Sequence, residues 1–470
     1  NALTTHAVEH MRETGRVFEV DDALGAINRM TEKRVPRPHE IKAIRAIFGD
    51  ELAEAIAQAA KDKDFWSTFL EVWMLPKAVR SSFDISFPAR QGIMVAPRHP
   101  LMWLDSIRTS VKGWVRPKDV IEDYTRMQTD SSPVGVKMAD GSTQTLKLGQ
   151  VADSMGILAE RVEPFYNNNL AERLFLIGPA VRRSRISFTG AGNKLRFDMT
   201  RYWLNKWERM GVEINEDRIM KLGGLLNALT GRATVPKGFL FDFLQATWWS
   251  PQYRLSGPQV VATLARNMPG VPGGDLQIAR IAAENLVAFV GGGIGLLSAL
   301  KASGLADVNI DPRSTDFGKI KLGPTRINFW VTSQLLVRTI AQSITGTRID
   351  PELGPIATDP GKVWGRYVQS GLAPELSVVY DYVSGETYLG EPLRPSAERG
   401  ISGLEIAKRE AVERTIPLAW SDIKKAIETD AVRGGLISAV GLLGLGVQSY
   451  EPSAANRLQL IPEFVGGLTQ

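Results

Sequence analysis

The sequence predicts a mainly α protein: a multi-helix assembly of two or three packed helical subdomains with two small β-hairpins. Apolar residues recur with helical spacing along most of the chain, and only two segments alternate with period two around turn residues. The chain has 470 residues, more than one hydrophobic core usually serves. Hydrophobic residues make up 44% and charged residues 23%, the balance of a folded protein rather than a disordered one.

Residues 1–63 are predicted to form an N-terminal helical segment. Two stretches, residues 7–30 and 39–60, have apolar spacing with charged opposite faces, and the prolines within residues 34–38 separate them. The chain begins with Asn1 rather than Met, and no charged-then-apolar leader precedes the helices. We therefore expect a piece or processed product of a longer chain, and not a Sec substrate.

Residues 64–305 are predicted to form a central helical domain with a hairpin near residues 134–148. Residues 65–115 have the pattern of two or three buried helices interrupted by prolines. In the hairpin, Val134, Val136 and Met138 occupy alternate positions, Asp140 and Gly141 form the turn, and residues 143–148 return. Helices then continue to residue 305, with breaks where glycine and proline cluster.

Residues 306–470 are predicted to form a C-terminal domain that opens with a hairpin at residues 319–329. Ile320 and Leu322 alternate on one arm, Ile327 lies on the return arm, and Gly323 with Pro324 supplies the reversal. A helix should follow, then a stretch rich in proline and glycine at residues 347–361. Short helices are predicted after it, up to residue 447.

Charge and cysteine content set limits on function. The chain has no cysteine, which excludes disulfides and thiolate metal sites and fits a reducing environment. The net charge is +5 and the pI is about 9.2, an excess that permits a polyanionic partner without requiring one.

Basic and aromatic residues alternate between residues 182 and 209, where eight Lys or Arg stand against two acids, with five aromatic rings between them. Phosphates attract such charge and exposed bases stack on such rings, so this is a candidate nucleic-acid surface. The competing interpretation, which we favour, places the rings in the core and the charges on a solvated back of a helix starting near Asn193. The candidate nucleic-acid contacts are Arg182, Arg183, Arg185, Lys194, Arg196 and Arg201.

Two apolar runs are rich in glycine, residues 286–300 and 435–447. As helices they would reach only about 22 Å and 20 Å, short of a bilayer core of about 30 Å. Gly291 and Gly295 have the spacing that lets helices approach closely. Both runs are therefore predicted to be buried core helices rather than membrane spans.

The sequence predicts no enzymatic activity, no cofactor and no bound metal. His6, Glu9 and His10 fit a zinc-binding H-x-x-E-H pattern, but at the start of the chain a third ligand is hard to supply. The kinase-like triplet at residues 316–318 lacks a catalytic loop elsewhere. The glycines at residues 291–295 lack the spacing of a nucleotide-binding loop.

Several motifs resemble, in order and spacing, a large helical domain that recurs in bacteriophage polyvalent proteins and in internal virion proteins that accompany DNA into the host. Coverage runs from about residue 65 to residue 451. One departure is at residues 329–332, Phe-Trp-Val-Thr, where that family usually has a Gly-rich or polar start to a helix. The motifs are at residues 82–92, 192–198, 311–330, 371–374, 390–392, 416–418 and 444–451.

The resemblance implies a helical, non-enzymatic virion protein of the phage interior. It would assemble with copies of itself and with other internal virion or portal proteins in the capsid, contact packaged DNA, and rebuild as an ejectosome conduit through the host envelope during DNA ejection. Rings of identical subunits need heterologous contacts. The alternative is a nucleic-acid-binding helical module of a polyvalent protein that is co-injected with the genome.

Overall fold

The computed structural model describes residues 13–31, 38–50, 85–158, 178–235, 239–322, 325–330, 332–350, 354–372 and 446–449, with a few positions near 10, 36, 53 and 376. The chain is mainly helical with a few small antiparallel strand pairs, so the predicted fold class is confirmed. The domain boundaries stay a prediction.

The described helices follow one another in chain order. They are α1 Val17–Thr31, α2 Pro38–Phe48, α3 Phe87–Arg90, α4 Pro100–Val115, α5 Pro117–Gln128, α6 Leu148–Ser154, α7 Gly178–Arg209, α8 Glu216–Leu229, α9 Phe239–Thr247, α10 Pro251–Arg266, α11 Leu276–Ala302, α12 Thr332–Thr345 and α13 Pro360–Gln369. The strands are β1 Pro133–Lys137, β2 Thr143–Lys147, β3 Asp307–Val308, β4 Ile320–Leu322, β5 Thr325–Asn328, β6 Thr347–Asp350, β7 Gly354–Ala357 and β8 Gly446–Ser449.

The central helix α7 organises the largest core. Its described part is 32 residues long and reaches back to Gly178, fifteen residues before the predicted start near Asn193. Its C-terminal half contributes buried Leu195, Trp203 and Trp207, which share one cluster with leucines of α8 such as Leu222. Because α7 is buried on most sides, its sequence lacks the one-sided apolar pattern from which a helix boundary is usually predicted.

Helices α4 and α7 lie close together because small residues line the contact. Gly113 of α4 lies against the backbone of Ser187, where an added Cβ would be 2.5 Å from the Ser187 Cα. The hydroxyls of Ser110 and Ser187 lie 2.9 Å apart, and Ser187 Oγ also donates to the Ser110 carbonyl at 2.6 Å. Small side chains with hydrogen bonds between them are what such close helix packing requires.

The N-terminal helices share a core with the central ones. Val20 and Leu24 of α1 and Ile44 of α2 are buried in one cluster with Ile121 of α5 and Ile186 of α7. Residues on both sides of the predicted boundary at residue 63 therefore pack together.

The first predicted hairpin is confirmed. Strands β1 and β2 are antiparallel, with Val134 opposite Leu146 and Val136 opposite Gln144. Gly141 occupies the turn with φ +83°, a conformation that glycine adopts at little cost. Val136 is fully buried in the main core, as its alternation with polar neighbours predicts.

The second predicted hairpin, β4 with β5, is also confirmed, but it is only half of a four-stranded sheet in the order β3-β4-β5-β8. A further pair, β6 with β7, occupies the Pro/Gly-rich stretch. The two predicted hairpins hold most of the described strand residues, but strand also occurs outside them. Segments of two to four residues are too short for a period-two signal, and β8 pairs with a strand far back in the chain.

A buried carboxylate, Asp316, forms ion pairs at the open end of the second hairpin. Asp316 lies 3.4 Å from Lys319 Nζ, 3.3 Å from Lys321 Nζ and 3.3 Å from Arg326 Nε. Burial acts to raise the pKa of Asp316, but the charges of Lys319 and Arg326, with hydrogen bonds from Arg326 and Lys321, together hold the pKa below its usual value. The kinase-like triplet that begins at Asp316 thus carries an ion cluster that joins both arms of the hairpin.

Candidate functional site

The aromatic rings of the basic helix α7 belong to the core. Phe188, Phe197, Trp203 and Trp207 are buried, and Tyr202 is half-buried. The favoured interpretation of these rings is therefore the one that the structure bears out. Stacking on bases would need an exposed ring face, which the four buried rings do not present.

Arg185 is an internal residue and not a surface contact. Its side chain is 1% exposed, and its Nη2 lies 2.6 Å from Asp21 Oδ2 and 3.7 Å from Asp22 Oδ1. Both aspartates belong to α1, so this ion cluster joins the N-terminal segment to α7. The assignment of Arg185 as a candidate nucleic-acid contact is corrected, because a guanidinium enclosed with two carboxylates cannot reach a phosphate.

Arg196 is buried as well. Its Nε donates to Thr230 Oγ1 at 2.8 Å, and its guanidinium lies 5.8 Å from the centre of the Phe87 ring. Arg196 thus ties α7 to the end of α8 and to α3, and it too is removed from the candidate nucleic-acid surface. An arginine at this depth serves packing as much as charge.

The remaining candidate cations differ in their surroundings. Arg182 is half-buried over the Phe18 ring, and Arg183 is exposed. Lys194 Nζ donates to Asp198 Oδ2 at 2.5 Å, and Arg201 contacts Asp130. Arg183, Lys194 and Arg201 are spaced by 11 and 7 residues, which places them on one side of α7. This narrower set is what the structure leaves of the predicted basic surface.

His99 is a buried histidine just before the first turn of α4. It is 6% exposed, and its ring meets Tyr202 and Trp203 edge to face, with ring centres 5.0 Å and 6.0 Å away. Burial, with repulsion from Arg98 and Lys206, lowers the pKa of His99 from 6.5 to about 4, although Glu284 acts in the opposite direction. The imidazole is therefore neutral at pH 7.

His99 should make the fold sensitive to mild acid. Since its pKa is lower in the folded chain than in the unfolded chain, the unfolded chain binds the proton more readily, and stability falls as the pH drops below 6.5. Between pH 7.5 and pH 5 this group should remove about 2 kcal/mol of the free energy of unfolding. Urea unfolding of wild type and His99→Phe at both pH values measures it. The variant should lose less stability between the two pH values, and an equal loss would contradict the assignment.

Helix α11 carries the first glycine-rich run and is more exposed than predicted. Within residues 286–300 only Phe289, Gly293 and Leu297 are buried. An added Cβ on Gly293 would lie 2.6 Å from the Trp330 ring, whereas Gly291 and Gly295 have no atom within 4 Å of theirs. The prediction of a buried core helix is therefore wrong for the outer side of α11, and correct only for the edge that Trp330 covers.

The first glycine-rich run lies within a longer helix. Helix α11 has 27 residues, so it is about 40 Å long at 1.5 Å per residue, longer than the apolar run within it. Among the described residues, Leu276–Ala302 is the helix whose length and composition would allow it to cross a membrane, and a third of its most apolar window is buried. The core helix of a soluble protein meets the same two criteria. Of the second run only residues 446 and 447 are described, and they begin strand β8 instead of ending a helix.

A cleft lies where α3, α10, α12 and α13 meet. Aromatic and basic side chains line it, among them Arg90, Tyr253, Trp330 and Tyr367. Arg254, also in the lining, donates from Nη2 to the Ser370 carbonyl at 2.6 Å. Over the described residues the lining includes no carboxylate and no histidine, the side chains that usually act as a general base.

Of the zinc-like pattern at the N-terminus, His6 lies outside the described residues. Within the described ranges, no group of three His, Cys, Asp or Glu side chains converges as metal ligands would. The glycines at residues 291–295 lie within helix α11, so they do not form the loop that cradles a nucleotide.

Comparisons of the chain with known protein families, with curated proteins and with solved structures found no match. The resemblance to helical bacteriophage proteins therefore stays a prediction.

Proposed function

We propose that this chain is a structural protein of the bacteriophage interior, which assembles with copies of itself near the portal and takes part in ejection of the genome into the host. The observation that carries the proposal is the outer side of α11. There Val287, Val290 and Ile294 are 71%, 45% and 51% exposed. A cluster of large exposed apolar side chains on one helix marks a surface that another molecule covers.

The inner edge of α11 explains how this surface is held in place. Phe289 and Leu297 pack with Trp330 and Val308, and Gly293 admits the Trp330 ring against the helix backbone. One edge of the helix is thereby anchored to the four-stranded sheet, while its outer side stays available to a second copy or to another internal virion or portal protein. Repacking of such a surface would let the same helix face a subunit in the capsid and the host envelope during ejection.

The second candidate function is a nucleic-acid-binding module delivered with the genome. The side of α7 that carries Arg183, Lys194 and Arg201 favours it, because three aligned cations suit a phosphate backbone. Lys194 and Arg201 already contact carboxylates, however, which leaves Arg183 as the cation on this side without one among the described residues. We therefore rank assembly above nucleic-acid binding.

Imaging and mass measurement of the purified chain, with and without DNA, separate the two functions. Assembly without DNA, lost in the double variant Val290→Glu/Ile294→Glu and kept in Arg183→Ala/Arg201→Ala, is the expected result. Assembly only with DNA, lost in the arginine variant and at high salt, would replace this proposal with the nucleic-acid function.

Gly293→Leu should lower the free energy of unfolding by about 1 to 3 kcal/mol. The added side chain has to displace Trp330, which lies 2.6 Å from the position of a Cβ. Gly291→Leu and Gly295→Leu are matched controls on the same helix, because no atom lies within 4 Å of their Cβ positions. Thermal or urea unfolding measures all three. If the controls lost as much stability as Gly293→Leu, the contact with Trp330 would not be the cause.

A further inference from the structure

Helix α4 packs against α7 through small and polar residues and exposes a row of large apolar residues. Its buried residues are Ser106, Thr109, Ser110 and Gly113, which face α7. Four of its large apolar residues point outward: Leu101 and Val115 are 77% and 69% exposed, and Leu104 and Val111 are both 43% exposed. The close approach to α7 uses the small residues, so the large ones have no place in that contact.

The outward residues of α4 form a narrow stripe with a defined spacing. Leu101, Leu104, Arg108, Val111 and Val115 are separated by 3, 4, 3 and 4 residues. At 3.6 residues per turn they fall within an arc of about 80°. Alternating steps of three and four are the pattern by which one helix packs its side chains into another. The shape of the stripe therefore fits a partner helix.

We propose that the partner is the same helix of a second copy, and that two α4 helices pair antiparallel through this stripe. This inference rests on the proposed function, since it names one contact of the assembly. The stripe is nearly the same when read in either direction, because its apolar residues lie 7 and 4 positions before Arg108 and 3 and 7 positions after it. Self-complementarity of this kind is what a two-fold symmetric interface requires.

Charge selects the antiparallel orientation. Asp105 and Lys112 each follow an apolar stripe residue by one position, so both lie along the same edge of the stripe, seven residues apart. A two-fold axis beside residues 108 and 109 brings Asp105 of one copy next to Lys112 of its partner, and the reverse. Lys112 already donates to Asp123 at 2.9 Å, but an ammonium has three donors. Parallel pairing offers these two residues no opposite charge.

Arg108 occupies the centre of the stripe and would meet its own copy near the axis. Its side chain is 80% exposed, and its Nη1 lies 2.9 Å from Asp105 Oδ1, so it can extend into water and keep a carboxylate beside it. A single polar residue at such a position fixes the register of a helix pair and lowers its stability. Replacing Arg108 with leucine should therefore strengthen the pairing.

Lipid is a less suitable occupant of the stripe. Arg108 lies within it, and Asp105, Lys112 and Arg116 lie beside it or at its end, so insertion into a bilayer would carry charge with it. A pair of 16-residue helices also buries less surface than a standard interface of about 800 Å² per partner. The α4 pair is consequently one contact of a larger assembly, and weak when it stands alone.

Cross-linking through introduced cysteines tests the proposal cleanly, because the chain has no cysteine of its own. Under mild oxidation, Arg108→Cys should form a disulfide-linked dimer. Leu101→Cys and Val115→Cys should each stay largely monomeric alone and cross-link when mixed. Val261→Cys is the matched control, an exposed valine, 55% accessible, on α10. Since all four positions are exposed, the variants should fold as wild type does, which circular dichroism verifies.

Each outcome has a separate meaning. The α4 pair is overturned if Arg108→Cys cross-links no more than Val261→Cys. It is also overturned if Leu101→Cys and Val115→Cys each link to their own copies, because that is the result expected for parallel helices. If lipid covers the stripe instead, wild type should bind vesicles of anionic phospholipid and Leu104→Glu should not. That result would also overturn the α4 pair. Arg108→Leu should raise the dimer fraction, and Leu104→Glu should lower it.

The proposed function fails independently of the α4 pair. If the chain forms dimers linked through residue 108 but no larger assembly under any condition, the helix pair is supported and the virion role is contradicted. Assembly that persists in Leu104→Glu without any cross-link contradicts the helix pair alone.

Discussion

Replacing Arg185 with alanine is expected to lower the free energy of unfolding by about 3 to 5 kcal/mol. The substitution leaves Asp21 and Asp22 in a closed space without the cation that lies 2.6 Å from one and 3.7 Å from the other. The cost comes chiefly from the two carboxylates that are left behind, since removing one partner of a buried ion pair leaves an uncompensated charge. Urea unfolding of the full chain at pH 7.5 measures the loss.

Arg183→Ala is the matched control, two residues earlier on the same helix. Arg183 is exposed, so its removal should change stability by no more than about 0.5 kcal/mol. Partial rescue of Arg185→Ala by Asp21→Asn would confirm that the unpaired carboxylates cause the loss. Equal stability of Arg183→Ala and Arg185→Ala would show that the buried ion cluster does not hold α1 against α7.

Gly113→Ala should be nearly as damaging, with a loss of about 3 kcal/mol or more, although it adds one methyl group. The new Cβ would lie 2.5 Å from Ser187 Cα and 2.8 Å from Ser187 N, and backbone atoms cannot rotate aside as a side chain can. The helices have to separate, and the hydrogen bonds between Ser110 and Ser187 would lengthen with them. Thermal and urea unfolding both report this loss.

Gly224→Ala provides the opposite expectation for the same chemical change. Gly224 lies within α8, and no atom is within 4 Å of its Cβ position. Alanine should therefore stabilise the helix by up to about 1 kcal/mol, because glycine is a poor helix former. Should both glycines tolerate alanine equally, the close packing of α4 on α7 would be refuted.

The sequence was sufficient to predict the fold class and both hairpins, because those depend on local period and turn residues. Val136 inside the first hairpin and Gly141 at its turn follow directly from alternation and from glycine's tolerance of positive φ. Strand β8 could not be predicted in this way, since its partner β5 lies more than a hundred residues earlier. Pairing at that distance leaves no local trace.

In the basic helix α7, composition alone does not show which arginines are exposed. Arg183 and Arg185 cannot be distinguished by composition, since both are arginines in a basic run. In the structure Arg183 is exposed, whereas Arg185 is enclosed with two aspartates of α1. Only the position of Asp21 and Asp22, more than 160 residues away, decides which arginine can reach a phosphate. The prediction that the rings belong to the core is confirmed by Trp203 and Trp207, which lie four residues apart on one face and are both buried.

For helix α4, the predicted burial of the large apolar residues was wrong for a different reason. Apolar residues with helical spacing between residues 65 and 115 predict buried helices, and Leu101, Leu104 and Val111 belong to that pattern. The structure turns them outward, because the Ser106 to Gly113 side is the one small enough to approach α7. A sequence signal was present: a surface of serine, threonine and glycine opposite an apolar stripe in steps of three and four predicts close packing on one side and a helical partner on the other.

The four-stranded sheet has a consequence for how the chain is made. Asn328 of β5 pairs with Gly446 of β8, 118 positions later, so the outer edge of β5 is complete only after that length has been translated. At about 5 to 20 residues per second, the ribosome needs roughly 6 to 24 s to supply it. During this interval the unpaired backbone groups of β5 are a template for strands of neighbouring nascent chains. Polysomes with closely spaced ribosomes would therefore favour intermolecular strand pairing, and slower translation should raise the yield of soluble protein.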